Sequence, residues 1–218
     1  MYEWNFGYLW QYRQLFVNGL MVTLGYSLLC IVFGLAVGLV CGMGGLAKNR
    51  LVYLPLKWYV ELFRATPVLV LIIWFYYALP VLVGVAMTAQ VAAVLALSLY
   101  GGAFYSEIIR GGIISIDGGQ SDAARALGMT RFQVMRRVVL PQALRRMTPP
   151  LMNQSIMQLK NTSLLSVLAL PDLLYQGQAV AHETYRPLEA YTLIALMYIA
   201  ILLPASMLVR RLEAKRVE

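Results

Sequence analysis

Lys160 is the only ionisable side chain between residues 147 and 171. An ammonium inside an apolar helix costs about 2.5–3.5 kcal/mol at mid-membrane depth, so it is expected to face a cavity or a partner. Asn153, Gln154, Ser155, Gln158, Asn161, Thr162 and Ser163 flank it. With about 100° of turn per residue, Asn153, Lys160 and Ser163 fall near one helix face, with Gln154, Gln158 and Asn161 beside them. Such a stripe suits recognition: the ammonium attracts a carboxylate, and the amides and hydroxyls hydrogen-bond a polar solute. The competing use is structural, with Lys160 paired to a carboxylate such as Glu107 or reaching a water-filled interface. Glu61 and Arg64, like Glu107 and Arg110, are three residues apart, a spacing that puts opposite charges on one helix face. They are expected as boundary ion pairs able to act as a gate.

Catalysis has little to work with. His182 is the one histidine, and it is expected in an exposed loop without relay partners or a metal. Cys30 and Cys41 lack CxxC spacing and read as buried thiols. No GxxxxGK[ST] run is present to cradle phosphates, so nucleotide chemistry would have to belong to another protein.

The elements that must position these residues are set by composition. The chain is 60% hydrophobic and 13% charged, whereas soluble domains carry about a quarter charged residues. Residues 14–47, 65–106 and 190–209 carry no charge at all. A spanning helix needs about 20 apolar residues, and none of these runs alternates as a barrel strand would. The expected architecture is therefore all-α and integral to a membrane, one domain over 1–218, with about five spans near 18–43, 54–79, 88–110, 149–170 and 189–209. Pro80 and Gly84 are expected to break the chain between the second and third spans, and 172–188 to form a loop between the fourth and fifth. Gly34, Gly38 and Gly42 put a smooth strip on the first span, against which another helix can pack. Residues 1–17 are aromatic-rich and read as an amphipathic segment at the outer interface, with no cleavable signal expected.

The net charge of +8 reports orientation. Fifteen of the eighteen Lys and Arg, from Lys48 to Arg64, from Arg110 to Arg146 and from Arg210 to Arg216, fall on one side of this topology. Only Arg13 and Arg186 fall on the other. The positive-inside rule then places the N-terminus outside and the C-terminus in the cytoplasm, and the basic excess is not read as a nucleic-acid footprint.

Residues 111–148 form the long cytoplasmic stretch, and GGQSDAARALGMTRFQVMRRVVLPQAL within it reads as two short helices joined by an elbow. Ser121 is expected to cap the first, with Asp122 in its opening turn and Gly128 as its left-handed end. Thr130 and Gln133 have capping-box spacing for the second, which Pro141 is expected to end or bend. The small pair Ala123 and Ala124 is expected to face outward and enter a socket on another protein.

Here the chain resembles the permease subunits of ABC importers of the polar amino acid type. Their cytoplasmic signature is Glu-Ala-Ala, three residues, Gly, nine residues, then Ile-x-Leu-Pro. This chain has Asp122, Ala123 and Ala124, then Gly128, then Val138, Val139, Leu140 and Pro141 at the same spacing. Glu61 to Pro67 (with Ala65 where Gly commonly stands), Tyr105 to Gly112, and Lys160 to Leu164 also look like motifs of this group. The resemblance implies a type I importer permease whose coupling helix, about 119–128, seats in an ATPase cleft through Gln120, Ser121, Asp122, Ala123, Ala124, Leu127, Gly128, Met129 and Thr130. It implies an ABC ATPase dimer that binds ATP and magnesium, so that this subunit needs no cofactor and is not itself an enzyme. It further implies a second permease, more readily related than identical, a periplasmic amino acid-binding protein, and residence in the bacterial inner membrane. The run YSEIIRGGIISIDGGQSDAARALGMT looks most like glutamate/aspartate permeases. Glutamine or a basic amino acid is the alternative solute, and an ATP-independent channel is the alternative of another class.

Overall fold

The computed structural model describes residues 3–214, so Lys215 and Arg216 of the expected basic tail lie outside the described residues. A 3-10 turn at Gly7–Tyr12 leads into α1 (Arg13–Gly44). The glycine strip on α1 lies against α4 (Ala89–Ile114), which it lets approach to backbone contact. A Cβ added at Gly42 would meet the Ser106 carbonyl at 2.8 Å, and one at Gly38 would run into the Tyr105 side chain. Helix α4 is the hub, packed against α1 and also against α2 (Arg50–Ala65), α3 (Val68–Val83) and α7 (Leu140–Asn161).

The second expected span is not one helix. Pro67 has no N–H to continue the ladder and disfavours helical backbone at the residue before it; Thr66 is accordingly extended, at ψ 133°. Helices α2 and α3 therefore meet at 108°. Pro80, expected as a breaker, sits inside α3, and Gly84 at φ +68° ends the helix.

The expected fourth span begins early and ends late. After α5 (Gly118–Ala126), α6 (Arg131–Val134) runs through a π turn at Met135–Val139 into α7, which continues as a 3-10 segment at Thr162–Leu168. Pro141 does not stop this helix. Its missing N–H falls beside the π turn, where Leu140 N–H already bonds back to Met135 and the ladder shifts by one residue. The path then bends by 48° into α8 (Leu173–Thr184), so the expected outer loop 172–188 is mostly helix, capped by Asp172. His182 is exposed on it. Helix α9 (Pro187–Ala214) is the last element of the described residues.

Among the described residues, three helices are long and apolar enough to cross a membrane alone, and up to five candidates result if each bent pair counts as one span. Against the five expected spans, the second and fourth correspond to bent pairs rather than to single helices. Cys30 and Cys41 are buried free thiols on α1.

Candidate coupling elbow and solute face

Asp117 starts the first elbow helix. Its carboxylate accepts the Gly119 N–H at 2.7 Å, so α5 begins before Ser121, which is not the cap, and Asp122 lies past the opening turn. Asp122 instead binds Arg125 at 2.9 Å. The helix ends as expected at Gly128, φ +79°, where only glycine is unstrained. Gly128 N–H reaches the Arg125 carbonyl and Met129 N–H the Ala124 carbonyl, the paired bonds of a Schellman ending. Thr130 and Gln133 form the reciprocal capping box of α6.

The alanine pair splits. Ala123 is exposed, but Ala124 is buried with Val134, Val139, Ala143 and Met147, because adjacent helical residues lie about 100° apart and the face that carries Ala124 turns into that cluster. The outward ledge is Gln120, Asp122, Ala123, Leu127, Gly128 and Thr130, with Ser121 and Met129 half-buried. Leu127 is 81% exposed, the posture of an apolar side chain awaiting a partner. Arg146 donates to the Ser115 carbonyl and ties α7 to the end of α4 beside the elbow.

On α7 the expected polar stripe divides in two. Lys160 and Asn153 are exposed, and Asn153 donates to Glu213 at 3.4 Å. Gln158 is fully buried and donates to the Leu97 carbonyl at 2.7 Å, against the bare backbone of Gly101. Thr162 is also buried, its hydroxyl 3.4 Å from that of Ser27, while Ser155 bonds Tyr105 at 2.9 Å. Ser155, Gln158 and Thr162 therefore fasten α7 to α1 and α4. Residues two apart on a helix are separated by about 200°, so Gln158 cannot share a face with Lys160, and the expected stripe is too wide for one surface. Gln154, Asn161 and Ser163 are half-buried at the boundary between the faces.

Lys160 does not pair with Glu107. That carboxylate takes Arg110 through two hydrogen bonds of 2.9 Å, and Arg64 lies 3.8 Å away. The expected Glu61–Arg64 pair is absent among the described residues. Arg64 turns across to α4, its guanidinium 5.5 Å from the Phe104 ring centre, and Glu61 lines a small polar cleft with Tyr53, Lys57 and Arg110. Both ion-paired side chains are partly solvated, so the contact is weak in stability terms.

A second polar constellation is one that the sequence did not point to. Glu189 is fully buried at the start of α9, accepts from Arg186 at 2.9 Å and from the Asn5 N–H at 3.1 Å, and so clasps the N-terminal segment to the α8–α9 corner. Tyr12 adds a bond to Glu183 at 3.0 Å. The sequence signal for it is an acid in the first helical turn, three residues after a base; the long-range partner leaves no local trace.

The family described as binding-protein-dependent transport system inner membrane component matches residues 13–218. The glutamine transport system permease protein GlnP of Escherichia coli strain K12 is 35% identical over 218 residues, covering 98% of each chain. A crystal structure of an amino acid ABC transporter with histidines superposes at a TM-score of 0.91 and 34% identity, covering 98% of this chain and 100% of that one. A chain of the MetNI methionine ABC transporter, crystallised in inward-facing conformations, superposes at 0.71 with 23% identity over 91% and 96% of the two chains, a likeness of fold alone.

Proposed function

Because the chain belongs to the family of inner membrane components of binding-protein-dependent transport systems, we propose that it is the permease subunit of an ATP-driven importer of polar L-amino acids, with glutamine as the leading solute. The observation that carries the reading is the elbow. It is a rigidly capped helix with an exposed Leu127 at its tip, in a chain with no phosphate-binding loop of its own. In this reading an ABC ATPase dimer receives α5 from each of two permeases. ATP closes the dimer, the seated helices are drawn together, and the permease pair turns from inward-facing to outward-facing; hydrolysis resets it. Solute arrives on a periplasmic binding protein.

Lys160 is the proposed contact for the solute carboxylate, supported by its exposure and by the absence of an ion-pair partner among the described residues. An α-carboxylate is common to every amino acid, so this contact cannot choose between glutamine and glutamate or aspartate. The run near the elbow favours the acidic pair, whereas the glutamine permease relative weighs for glutamine. With glutamine as solute the ground for two different permeases also goes, and a second copy of this chain is the simpler other half.

Proteoliposomes holding the permeases and the ATPase, supplied with the binding protein, should take up labelled glutamine only when ATP is enclosed on the ATPase side. Excess unlabelled glutamine should compete better than glutamate, aspartate or arginine. Uptake without ATP would turn the reading to a channel, and stronger competition by glutamate would restore the acidic assignment.

A further inference from the structure

A cleft of about 270 Å³ opens between the loop that follows α1 and the elbow. Lys48, Ser121, Arg125 and Arg131 line it, together with the buried Val134 and Val139. Three cations converge here and only one is answered within the described residues, Arg125 by Asp122. Lys48 and Arg131 have no ion pair among them. Like charges brought together repel, and an anion in the cleft relieves that repulsion. The volume is on the order of nine waters at 30 Å³ each, ample for a phosphate with a small polar group attached.

We propose that this cleft binds the headgroup of an anionic phospholipid, with the phosphate between Lys48, Arg125 and Arg131. Apolar surroundings favour a lipid over a free anion. Lys48 follows the end of a membrane-length helix by four residues, counting from Gly44. Leu46, Leu51, Phe132 and Met135 are exposed on the segments that carry the cleft's cations or adjoin them. A soluble phosphate gains from the cations alone, whereas a phospholipid also lays its chains along those apolar side chains. The bound headgroup joins the α1–α2 loop to the elbow, so it fastens the elbow to the membrane surface and stiffens it as a lever. This site is independent of which solute is carried.

The test uses the intact complex in nanodiscs of phosphatidylcholine with phosphatidylglycerol, and counts lipids retained on stepwise delipidation by native mass spectrometry. The wild type should hold phosphatidylglycerol in preference to phosphatidylcholine. Each cation near an anionic headgroup contributes roughly fivefold, so Lys48→Gln with Arg131→Gln should weaken retention about 25-fold. Arg210→Gln with Arg211→Gln removes equal charge elsewhere and should leave it unchanged. Retention equal in both double variants overturns the proposal. So does displacement of the lipid by an equal concentration of inorganic phosphate. Loss of the ATPase from the Lys48/Arg131 variant in pure phosphatidylcholine also overturns it, because the cations would then belong to a protein contact.

Discussion

Arg64 of α2 reaches Glu107 of α4 at 3.8 Å and leaves Glu61, one turn back on its own helix, without that partner. The contact crosses between helices because α2 packs over α4 before the chain turns at Pro67. Glu107→Gln weakens two cation contacts and Glu61→Gln none, so the first should lower the melting temperature in detergent and the second should not. A double-mutant cycle on Arg64 and Glu107 should give a coupling below about 1 kcal/mol, as both side chains are partly solvated. Equal destabilisation by the two Glu variants would overturn this assignment.

Gly38 has no room for a side chain, because Tyr105 of α4 occupies the space where a Cβ would go. Gly38→Ala should cost about 1–3 kcal/mol by overpacking. Gly25→Ala, on the same helix with nothing within 4 Å, should be silent. Thermal unfolding of the two purified variants separates them, and equal stability would show that the α1–α4 approach is looser than the structure has it.

Leu127 and Ala124 report different things although they lie three residues apart. Leu127→Asp alters only the exposed tip, so the permease should stay folded while its ATPase is lost on purification. Ala124→Asp buries a carboxylate beside Val134 and Met147 and should unfold the elbow itself, seen as faster hydrogen exchange over 118–139. Gly128→Val, at φ +79°, should add about 1–3 kcal/mol of backbone strain. An ATPase that stays bound to Leu127→Asp would remove this ledge from the interface.

Lys160→Met should lower uptake roughly 10- to 100-fold, the loss of one charge-assisted contact, with assembly and basal ATPase intact. Gln158→Leu should behave oppositely. It removes the interhelical bond to the Leu97 carbonyl, costs about 0.5–1.5 kcal/mol in stability, and leaves uptake per folded complex near normal. Normal uptake by Lys160→Met would end its proposed role.

Arg186→Met removes the 2.9 Å hydrogen-bonded ion pair that Arg186 makes with the buried Glu189 carboxylate. It should destabilise by about 2–3 kcal/mol, measured by thermal unfolding, and Glu189→Gln should recover part of that in the double variant. Unchanged stability would mean that the clasp is ornamental to the fold.

Local chemistry is legible in the amino-acid order alone. The uncharged runs announce helices in lipid because burying charge in hydrocarbon is costly, and the glycine strip announces a close helix contact because it follows the helical repeat. Gly128 and the Thr130–Gln133 pair fix the elbow, since a left-handed end and a capping box depend on residues within one turn. What lies beyond one turn is undetermined at that level. Pro67 breaks its helix and Pro141 does not, because Pro141 falls beside a π turn where the ladder has already shifted by one residue, and that π turn is not announced by the residues around it. The Glu107–Arg110 pair follows from its spacing, but the Arg64 contact of Glu107 and the Asn5 contact of Glu189 are out of reach, because the sequence shows which charges are present but not which segments cross. Gln158 and Lys160 make the division plainest: composition puts both on one polar helix, and only the position of α4 decides that the first is buried as a fastener and the second left open.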